Sequence, residues 1–219
     1  MSMPRIFIDT ADVAQIKEAV STGLVDGVAT NPQKVAESGK SYRQVVEGIR
    51  KFFAGPIAVQ AVGHSVEEIC ACARRLHQID PLLAIKITAN RNGLAAVKIL
   101  VPEGVRTNAT LMFNPMQALL AGLAGSPFIS PFVGRANMAG FDGIANIRKM
   151  RQLLDAFELR NTCLIAASLK DVDQVIESIL AGAHAVAVTF PIFEAMCEHP
   201  LTTDGLESFI KNYQTIPQS

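Results

Sequence analysis

The chain has 219 residues, and its 20 Lys and Arg balance 20 Asp and Glu, so the formal net charge is zero. This balance argues against a nucleic-acid partner, because proteins that bind nucleic acid usually carry a basic excess. Since 49% of the residues are hydrophobic and only 18% are charged, the composition excludes a disordered chain and predicts one well-filled domain over residues 1–219.

No apolar run approaches the ~20 residues of a membrane-spanning helix, and residues 1–5 do not resemble a signal segment. The four cysteines, Cys70, Cys72, Cys163 and Cys197, lack the spacing of a metal site or a disulfide framework. We therefore expect a cytoplasmic protein with reduced thiols and no membrane partner. A low net charge combined with much apolar sequence also predicts that copies of the chain associate.

Short apolar or β-branched runs alternate along the chain with amphipathic stretches, which is typical of strands alternating with helices. The predicted strands are residues 6–8, 27–29, 57–59, 83–85, 105–107, 128–130, 163–165 and 185–188. The predicted helices are residues 12–20, 42–53, 65–76, 93–100, 116–123, 144–157, 172–180 and 201–213. The left-handed position that follows a helix suits Gly23, Gly39, Gly125 and Gly182.

Regular alternation of strands and helices predicts a parallel sheet with right-handed crossovers. Eight such units fit a single closed (β/α)8 barrel of the TIM type, which is an α/β fold. A doubly wound open sheet is the alternative, although no Gly-x-Gly-x-x-Gly motif follows the first predicted strand. Residues 201–219 are predicted to add a C-terminal helix and tail that pack on a neighbouring subunit.

In a closed barrel the active site lies at the C-terminal ends of the strands, and seven of the predicted strands lead into polar residues. These residues are Asp9, Thr10, Thr30, Asn31, Gln60, Lys86, Thr88, Asn108, Thr110, Ser130, Arg135, Ser168 and Lys170. Each has a plainer explanation on its own, because Asp, Ser and Thr at strand ends commonly cap the following helix. Together they predict a polar site at one rim, to which the eighth strand, ending at Thr189, adds little.

Lys86 stands out because it lies within the otherwise apolar run 82–87. One interpretation is a lysine with a buried stem and an ammonium group that reaches solvent. The other is an amine desolvated in the barrel mouth, where burial lowers the pKa of a lysine from ~10.4 and frees its lone pair to attack a carbonyl. Arg135, Ser168 and Lys170 similarly suit either a solvated surface or a phosphate site.

Six segments together resemble the transaldolase and fructose-6-phosphate aldolase family, in particular its short members. They are FIDTA at 7–11, GVATNP at 27–32, AIKI at 84–87, TNATLMF at 107–113, SPFVGR at 130–135 and AASLK at 166–170. The resemblance covers essentially the whole chain. It implies a Schiff-base barrel of the pentose phosphate pathway that moves a dihydroxyacetone unit from fructose 6-phosphate or a similar ketose phosphate to an aldehyde. It also implies no metal or organic cofactor, and a decamer or pentamer that uses the C-terminal helix.

The resemblance assigns roles to individual residues. Lys86 is the nucleophile, Asp9 is the general acid and base for the C4 hydroxyl, and Thr110 holds a water that relays protons. Asn31 and Asn108 bind the dihydroxyacetone hydroxyls. The full set assigned to catalysis is Lys86, Asp9, Thr110 and Gln60. The set assigned to substrate binding is Thr30, Asn31, Asn108, Ser130, Phe132, Arg135, Ser168 and Lys170, of which the last three hold the anionic tail.

Two positions favour different reactions. Transaldolases usually carry Glu where this chain has Gln60, and the aldolases carry Gln there but Tyr in place of Phe132. Gln60 can orient a water without accepting its proton, whereas Phe132 removes a hydroxyl that would help protonate the enamine. Because Asn108, Ser130 and Phe132 are transaldolase-like, we predict transfer. The alternatives are reversible aldol cleavage that releases dihydroxyacetone, a ketose with another anionic tail such as a sulfonate, and a barrel that binds sugar phosphates without catalysis.

Overall fold

Residues 5–217, the part of the chain that this computed structural model describes, form eight strands and eleven helices. The strands are β1 (Arg5–Asp9), β2 (Gly27–Ala29), β3 (Ile57–Gln60), β4 (Ala84–Thr88), β5 (Thr107–Met112), β6 (Phe128–Pro131), β7 (Cys163–Ala166) and β8 (Ala185–Val188). The first six helices are α1 (Val13–Ser21), α2 (Pro32–Glu37), α3 (Tyr42–Arg50), α4 (Val66–His77), α5 (Arg91–Leu100) and α6 (Pro115–Leu123). The others are α7 (Val133–Met138), α8 (Gly143–Ala156), α9 (Val172–Leu180), α10 (Phe190–Cys197) and α11 (Pro200–Tyr213).

All eight strands are parallel and each pairs with the next in chain order. The barrel closes where β8 pairs with β1, with Phe7 opposite Ala187. The predicted closed (β/α)8 barrel is therefore confirmed, and the alternative open sheet is wrong. At least one helix separates each pair of consecutive strands, as the crossovers of a parallel sheet require.

Side chains alternate between the two faces of each strand, and this alternation produces two apolar clusters. The larger cluster lies between the barrel and the helices, where Ile8, Val28, Ile85 and Ile129 have no solvent exposure. Burying each such aliphatic side chain stabilises the fold by about 1.5–3 kcal/mol. The smaller cluster fills the inside of the barrel and is rich in alanine. It comprises Phe7, Ala29, Ala58, Ala84, Phe128, Ile165, Ala167, Ala185 and Ala187.

Polar side chains cap the starts of most of the helices, and glycines follow several of their ends. Ser65 and Glu68 form a capping box at the start of α4, as their spacing indicates. Asp12, and not Asp9, caps α1 by accepting from the backbone nitrogens of its first turn. Asp9 is therefore left to make contacts inside the barrel. Positive φ angles occur after helices at Gly23, Gly39, Gly125 and Gly182, as predicted.

The fifth strand and the last helix differ from their predicted positions. The strand predicted at 105–107 lies at Thr107–Met112, because Asn108 and Ala109 extend by pairing with Lys86 and Ile87 of the neighbouring strand. Pro200 begins α11, one residue before the predicted start of that helix at residue 201. The first turn of a helix accommodates proline because the backbone nitrogen there needs no partner.

Three short helices, α2, α7 and α10, are not among the predicted ranges. Among residues 5–217, no helix is long and apolar enough to cross a membrane. Residues 1–5, which are predicted not to form a signal segment, and the predicted tail at 201–219 extend outside the described residues, at 1–4 and at 218–219.

Candidate active site

A cavity of about 240 Å³ opens at the C-terminal ends of the strands, where a barrel active site is expected. Its floor contains Ala29, Ala58 and Ala187, whose short side chains leave the space open. Nine of the twelve predicted site residues lie in its wall. These are Asp9, Asn31, Lys86, Asn108, Ser130, Phe132, Arg135, Ser168 and Lys170.

Lys86 reaches this cavity from β4, inside the barrel. Ile85 and Ile87 on either side point outward and are fully buried, so the alternation of the strand turns Lys86 inward. The residue is 7% exposed, and its Nζ donates to the backbone oxygen of Thr30 at 2.8 Å. Burial lowers the pKa of Lys86; the charge of Asp9 opposes this effect and that of Lys34 adds to it. A lowered pKa is what a nucleophilic amine requires.

Asp9 ends β1, and a lysine that is not among the predicted site residues binds one side of its carboxylate. Lys34 of α2 donates from Nζ to Oδ2 of Asp9 at 2.8 Å, and also to the backbone oxygen of Asp9. The other carboxylate oxygen, Oδ1, is buried and has no hydrogen-bond partner among residues 5–217. Because a buried acceptor without a partner is costly, Oδ1 is the atom most suited to accept from a substrate hydroxyl.

Two amide side chains flank the lysine. The oxygen of Asn31 accepts from the backbone nitrogen of Lys34 at 3.0 Å, which caps α2 and leaves the amide nitrogen as the donor for a ligand. Asn108 lies opposite Lys86 in the strand pairing, and its oxygen accepts from Oγ of Ser130 at 2.8 Å. Its amide nitrogen is likewise left to donate. Two such donors beside a buried amine suit a hydroxylated carbonyl compound.

The side chain of Thr30 does not join this group. Successive side chains of a strand point to opposite faces, so Thr30 points away from the cavity that Ala29 and Asn31 line. Its hydroxyl donates to the backbone oxygen of Ala58 at 2.8 Å. The prediction that the Thr30 side chain binds substrate is therefore wrong. Thr30 contacts the site through its backbone oxygen, which accepts a hydrogen bond from Lys86.

Gln60 and Thr110 are buried beside the cavity without lining it. The nitrogen of the Gln60 amide donates to the backbone oxygens of Ala61 and Lys86, at 3.0 and 3.1 Å. This arrangement fixes the amide group and leaves its oxygen as the available acceptor. Thr110 is fully buried, and its hydroxyl makes a long contact of 3.4 Å with the backbone oxygen of Ser130.

Positive charge lies at the mouth of the cavity. Gly134 donates from its backbone nitrogen to the backbone oxygen of Ser168 at 3.1 Å, which brings the start of α7 against the segment after β7. This contact places Arg135 and Lys170 on the same side of the cavity. The Arg135 guanidinium lies 5.1 Å from the centre of the Phe132 ring, a cation–π distance that holds its direction. The arrangement suits an anionic group at the outer end of a ligand.

Comparisons with known proteins agree with this geometry. The sequence model described as "Transaldolase/Fructose-6-phosphate aldolase" matches residues 6–218. The chain belongs to that family. A probable transaldolase of Desulforudis audaxviator is 42% identical over 208 residues, which are 95% of this chain and 96% of that protein. A probable transaldolase of Dictyoglomus turgidum is 38% identical over 214 residues, which are 98% of this chain and 100% of that protein.

A solved structure supports the fold of this family member independently of sequence. Thiamine phosphate pyrophosphorylase from Pyrococcus furiosus superposes with a TM-score of 0.58, covering 86% of this chain and 87% of that chain. The two sequences are 15% identical, so this likeness concerns the barrel fold alone.

Two residues that line this transaldolase-family cavity, Lys34 and Thr189, are not among the predicted site residues. Thr189 lines the cavity, so the prediction that the eighth strand adds little is wrong. Its position could have been found, since it lies two residues after the inward-facing Ala187, just as Asp9 lies two residues after Phe7. Lys34 gave no such signal, because it lies in a short helix, 25 residues from the carboxylate that it binds.

Proposed function

We propose that this chain is a Schiff-base transaldolase, which transfers a dihydroxyacetone unit from a ketose phosphate such as fructose 6-phosphate to an aldehyde acceptor. One observation carries the proposal: a buried lysine with a lowered pKa shares a cavity with a carboxylate and two amide donors. The names of the two bacterial relatives, both probable transaldolases, support the same reaction.

The lysine would begin the reaction. The neutral Nζ of Lys86 adds to the C2 carbonyl, and loss of water from the carbinolamine gives an iminium ion. Asp9 takes the proton of the C4 hydroxyl through its unpaired Oδ1. The C3–C4 bond then breaks, its electron pair neutralises the iminium to an enamine, and the first aldehyde leaves.

Transfer is the reverse of cleavage with a second aldehyde. The enamine carbon attacks the carbonyl of the acceptor, and Asp9 returns its proton to the oxygen that develops charge. Water then hydrolyses the new iminium and frees Lys86. Thr110 and the oxygen of Gln60 are the groups that we assign to holding this water, since both are buried next to the lysine strand.

The binding roles follow from the atoms left available. The amide nitrogens of Asn31 and Asn108 donate to the hydroxyls of the dihydroxyacetone unit, and Ser130 orients Asn108. Arg135, Ser168 and Lys170 bind the phosphate at the far end of the ketose. A sulfonate has a similar shape and charge, so these three residues would also accept it.

Reversible aldol cleavage is the second candidate, and Gln60 is the residue that favours it. An amide cannot take a proton from water as a carboxylate would, so the hydrolytic step relies on orientation alone. The ring of Phe132 opposes this alternative, because it lines the cavity without offering a hydroxyl to protonate the enamine.

We also propose that the chain acts in the cytoplasm, in the pentose phosphate pathway, as a single domain that assembles into a pentamer or decamer without a nucleic-acid or membrane partner. The support for assembly is α11, which has no buried residue and exposes Leu206, Phe209 and Ile210. Light scattering of the full chain and of a Phe209→Asp variant tests this, because a monomeric parent protein would contradict it.

Borohydride reduction in the presence of fructose 6-phosphate tests the proposed chemistry. We expect a dihydroxyacetone-sized adduct on Lys86 by peptide mass mapping, and none on a Lys86→Met variant. Added glyceraldehyde 3-phosphate or erythrose 4-phosphate should diminish the adduct if the enzyme transfers the unit. An adduct that ignores these acceptors, with free dihydroxyacetone accumulating, would favour cleavage instead. Absence of any adduct with anionic ketoses, together with ligand binding to Lys86→Met, would support the barrel that binds without catalysis.

A further inference from the structure

Lys34 is a charged side chain of the cavity that the proposed reaction does not use. Its backbone nitrogen is fixed by the cap of Asn31, and its Nζ contacts both the carboxylate and the backbone oxygen of Asp9. The side chains of Lys34 and Asp9 are only 24% and 21% exposed. This pair is therefore partly shielded from water, unlike fully exposed surface ion pairs, whose partners separate freely.

The first consequence of this contact is geometric. Two bonds from one ammonium group, to Oδ2 and to the backbone oxygen, leave the carboxylate of Asp9 little freedom to turn. They also direct the choice of oxygen, because Oδ2 is occupied and Oδ1 is not. A general base works only when its lone pair lies within hydrogen-bond reach of the proton that it takes. Lys34 thus leaves one defined oxygen of Asp9, Oδ1, free to accept a proton from a ligand in the cavity.

The second consequence is electrostatic. The charged groups that share the cavity with Lys86 are Asp9 from β1, Lys34 from α2, Arg135 from α7 and Lys170 from the segment after β7. Asp9 is the one negative group among them, and its charge favours the protonated form of Lys86. Lys34 lies against that carboxylate and acts on Lys86 in the opposite direction.

We infer that Lys34 is a positioning residue, which fixes the Asp9 carboxylate and offsets its charge so that Asp9 does not hold a proton on Lys86. The chemical meaning of this inference rests on the proposed function. Its physical content, a larger uncharged fraction of the Lys86 amine when Lys34 is present, can be measured without any ketose.

Reductive methylation measures the protonation of Lys86 directly. Formaldehyde and cyanoborohydride methylate the neutral amine only, and peptide mass mapping gives the rate at Lys86 as a function of pH. We compare the parent protein with Lys34→Met, which keeps the length of the side chain, and with Lys34→Arg, which keeps the charge. Lys40→Met is the matched control, since it removes an exposed lysine near the same rim without touching Asp9.

Removing the charge of Lys34 should slow methylation of Lys86 at neutral pH by about 3- to 10-fold, with the same plateau rate at high pH. The reason is that a rise of one unit in the pKa of an amine lowers its neutral fraction at a given pH about tenfold. Lys34→Arg and Lys40→Met should stay within about twofold of the parent protein. Equal pH profiles in Lys34→Met and the parent protein would overturn the inference. So would a rate lowered equally at every pH, because that result reports access to the amine and not its charge.

Kinetics with fructose 6-phosphate separate this inference from the proposed function. If both hold, Lys34→Met lowers kcat for cleavage more than it raises KM, and Lys34→Arg restores most of kcat. If no variant, including the parent protein, forms a ketose adduct while the methylation profile still shifts, the proposed function fails and the inference stands. If the parent protein forms the ketose adduct but the methylation profile of Lys34→Met equals that of the parent protein, the proposed function stands and the inference about Lys34 fails.

Discussion

Replacing Gly134 with alanine should weaken the binding of anionic ketoses without harming the chemistry at Lys86. Gly134 is the second residue of α7 and lies directly against the segment after β7, which carries Ser168 and Lys170. A Cβ at this position would lie 2.2 Å from the backbone oxygen of Ser168 and 2.8 Å from Cγ of Lys170. Both distances are too short for nonbonded carbon and oxygen atoms.

Relief of this overlap requires a shift of about 1 Å, since carbon atoms settle at about 3.5–4.0 Å from their neighbours. The backbone oxygen cannot simply turn aside, because Ser168 already has a left-handed φ of 60°, which few non-glycine residues adopt. The hydrogen bond from Gly134 to Ser168 would break, and Arg135 would move away from Lys170. Losing one charge-assisted hydrogen bond of about 1.5–3 kcal/mol corresponds to a rise in KM of about 10- to 100-fold.

The assay compares kcat and KM for fructose 6-phosphate with kcat/KM for fructose, which lacks the phosphate. We expect the preference for the phosphorylated ketose to fall about 10- to 100-fold, and kcat to change by less than about threefold, because Lys86 and Asp9 lie on other strands. Gly205→Ala is the matched control, since a Cβ there meets no atom within 4 Å. A folded Gly134→Ala protein with unchanged KM would refute the assignment of the anion site.

Three further predictions concern the interior of the barrel. Asp9→Asn should slow cleavage by ~10²–10⁴-fold while borohydride still traps the ketose on Lys86, and loss of the adduct would contradict the acid–base role. Phe132→Tyr should raise the release of free dihydroxyacetone relative to transfer, and an unchanged ratio in a product assay would show that this hydroxyl does not matter. Burial raises the pKa of the Cys163 thiol to about 11, so maleimide at neutral pH should label the exposed Cys197 and spare Cys163, with labelling of Cys163 growing only as the pH nears 11. Rapid labelling of Cys163 at neutral pH would contradict its burial.

The regular parts of the fold could be predicted from local sequence. The strand at 185–188 and the helix at 172–180 coincide with β8 and α9, because a short apolar run and a clear helical periodicity mark them. The fifth strand could not be placed in this way. Asn108 and Ala109 are poor strand formers, and their extended conformation comes from pairing with β4 on one side and β6 on the other.

The sequence predicts which residues lie at the site better than it predicts how their side chains are oriented and paired. The polar residues at the ends of seven strands indicated where a cavity would lie, and the cavity lies there. Whether Lys86 faced the interior or the helix layer was undecided until the strand pairing fixed it, because a slip of one residue exchanges the two faces. The same alternation of faces turns the side chain of Thr30 away from the cavity. The contact between Lys34 and Asp9 could not be predicted from the sequence, because the two residues lie on different elements, α2 and β1.

The row of alanines beneath Lys86 has a consequence for the evolution of this barrel. Ala29, Ala58 and Ala84 lie side by side in register, each two residues before a polar side chain or amide of the site. Larger aliphatic residues, as in the interiors of other barrels, would bury more apolar surface and raise the free energy of unfolding. They would also fill the space that the substrate needs. Selection for thermal robustness and selection for turnover therefore act in opposite directions at these three positions.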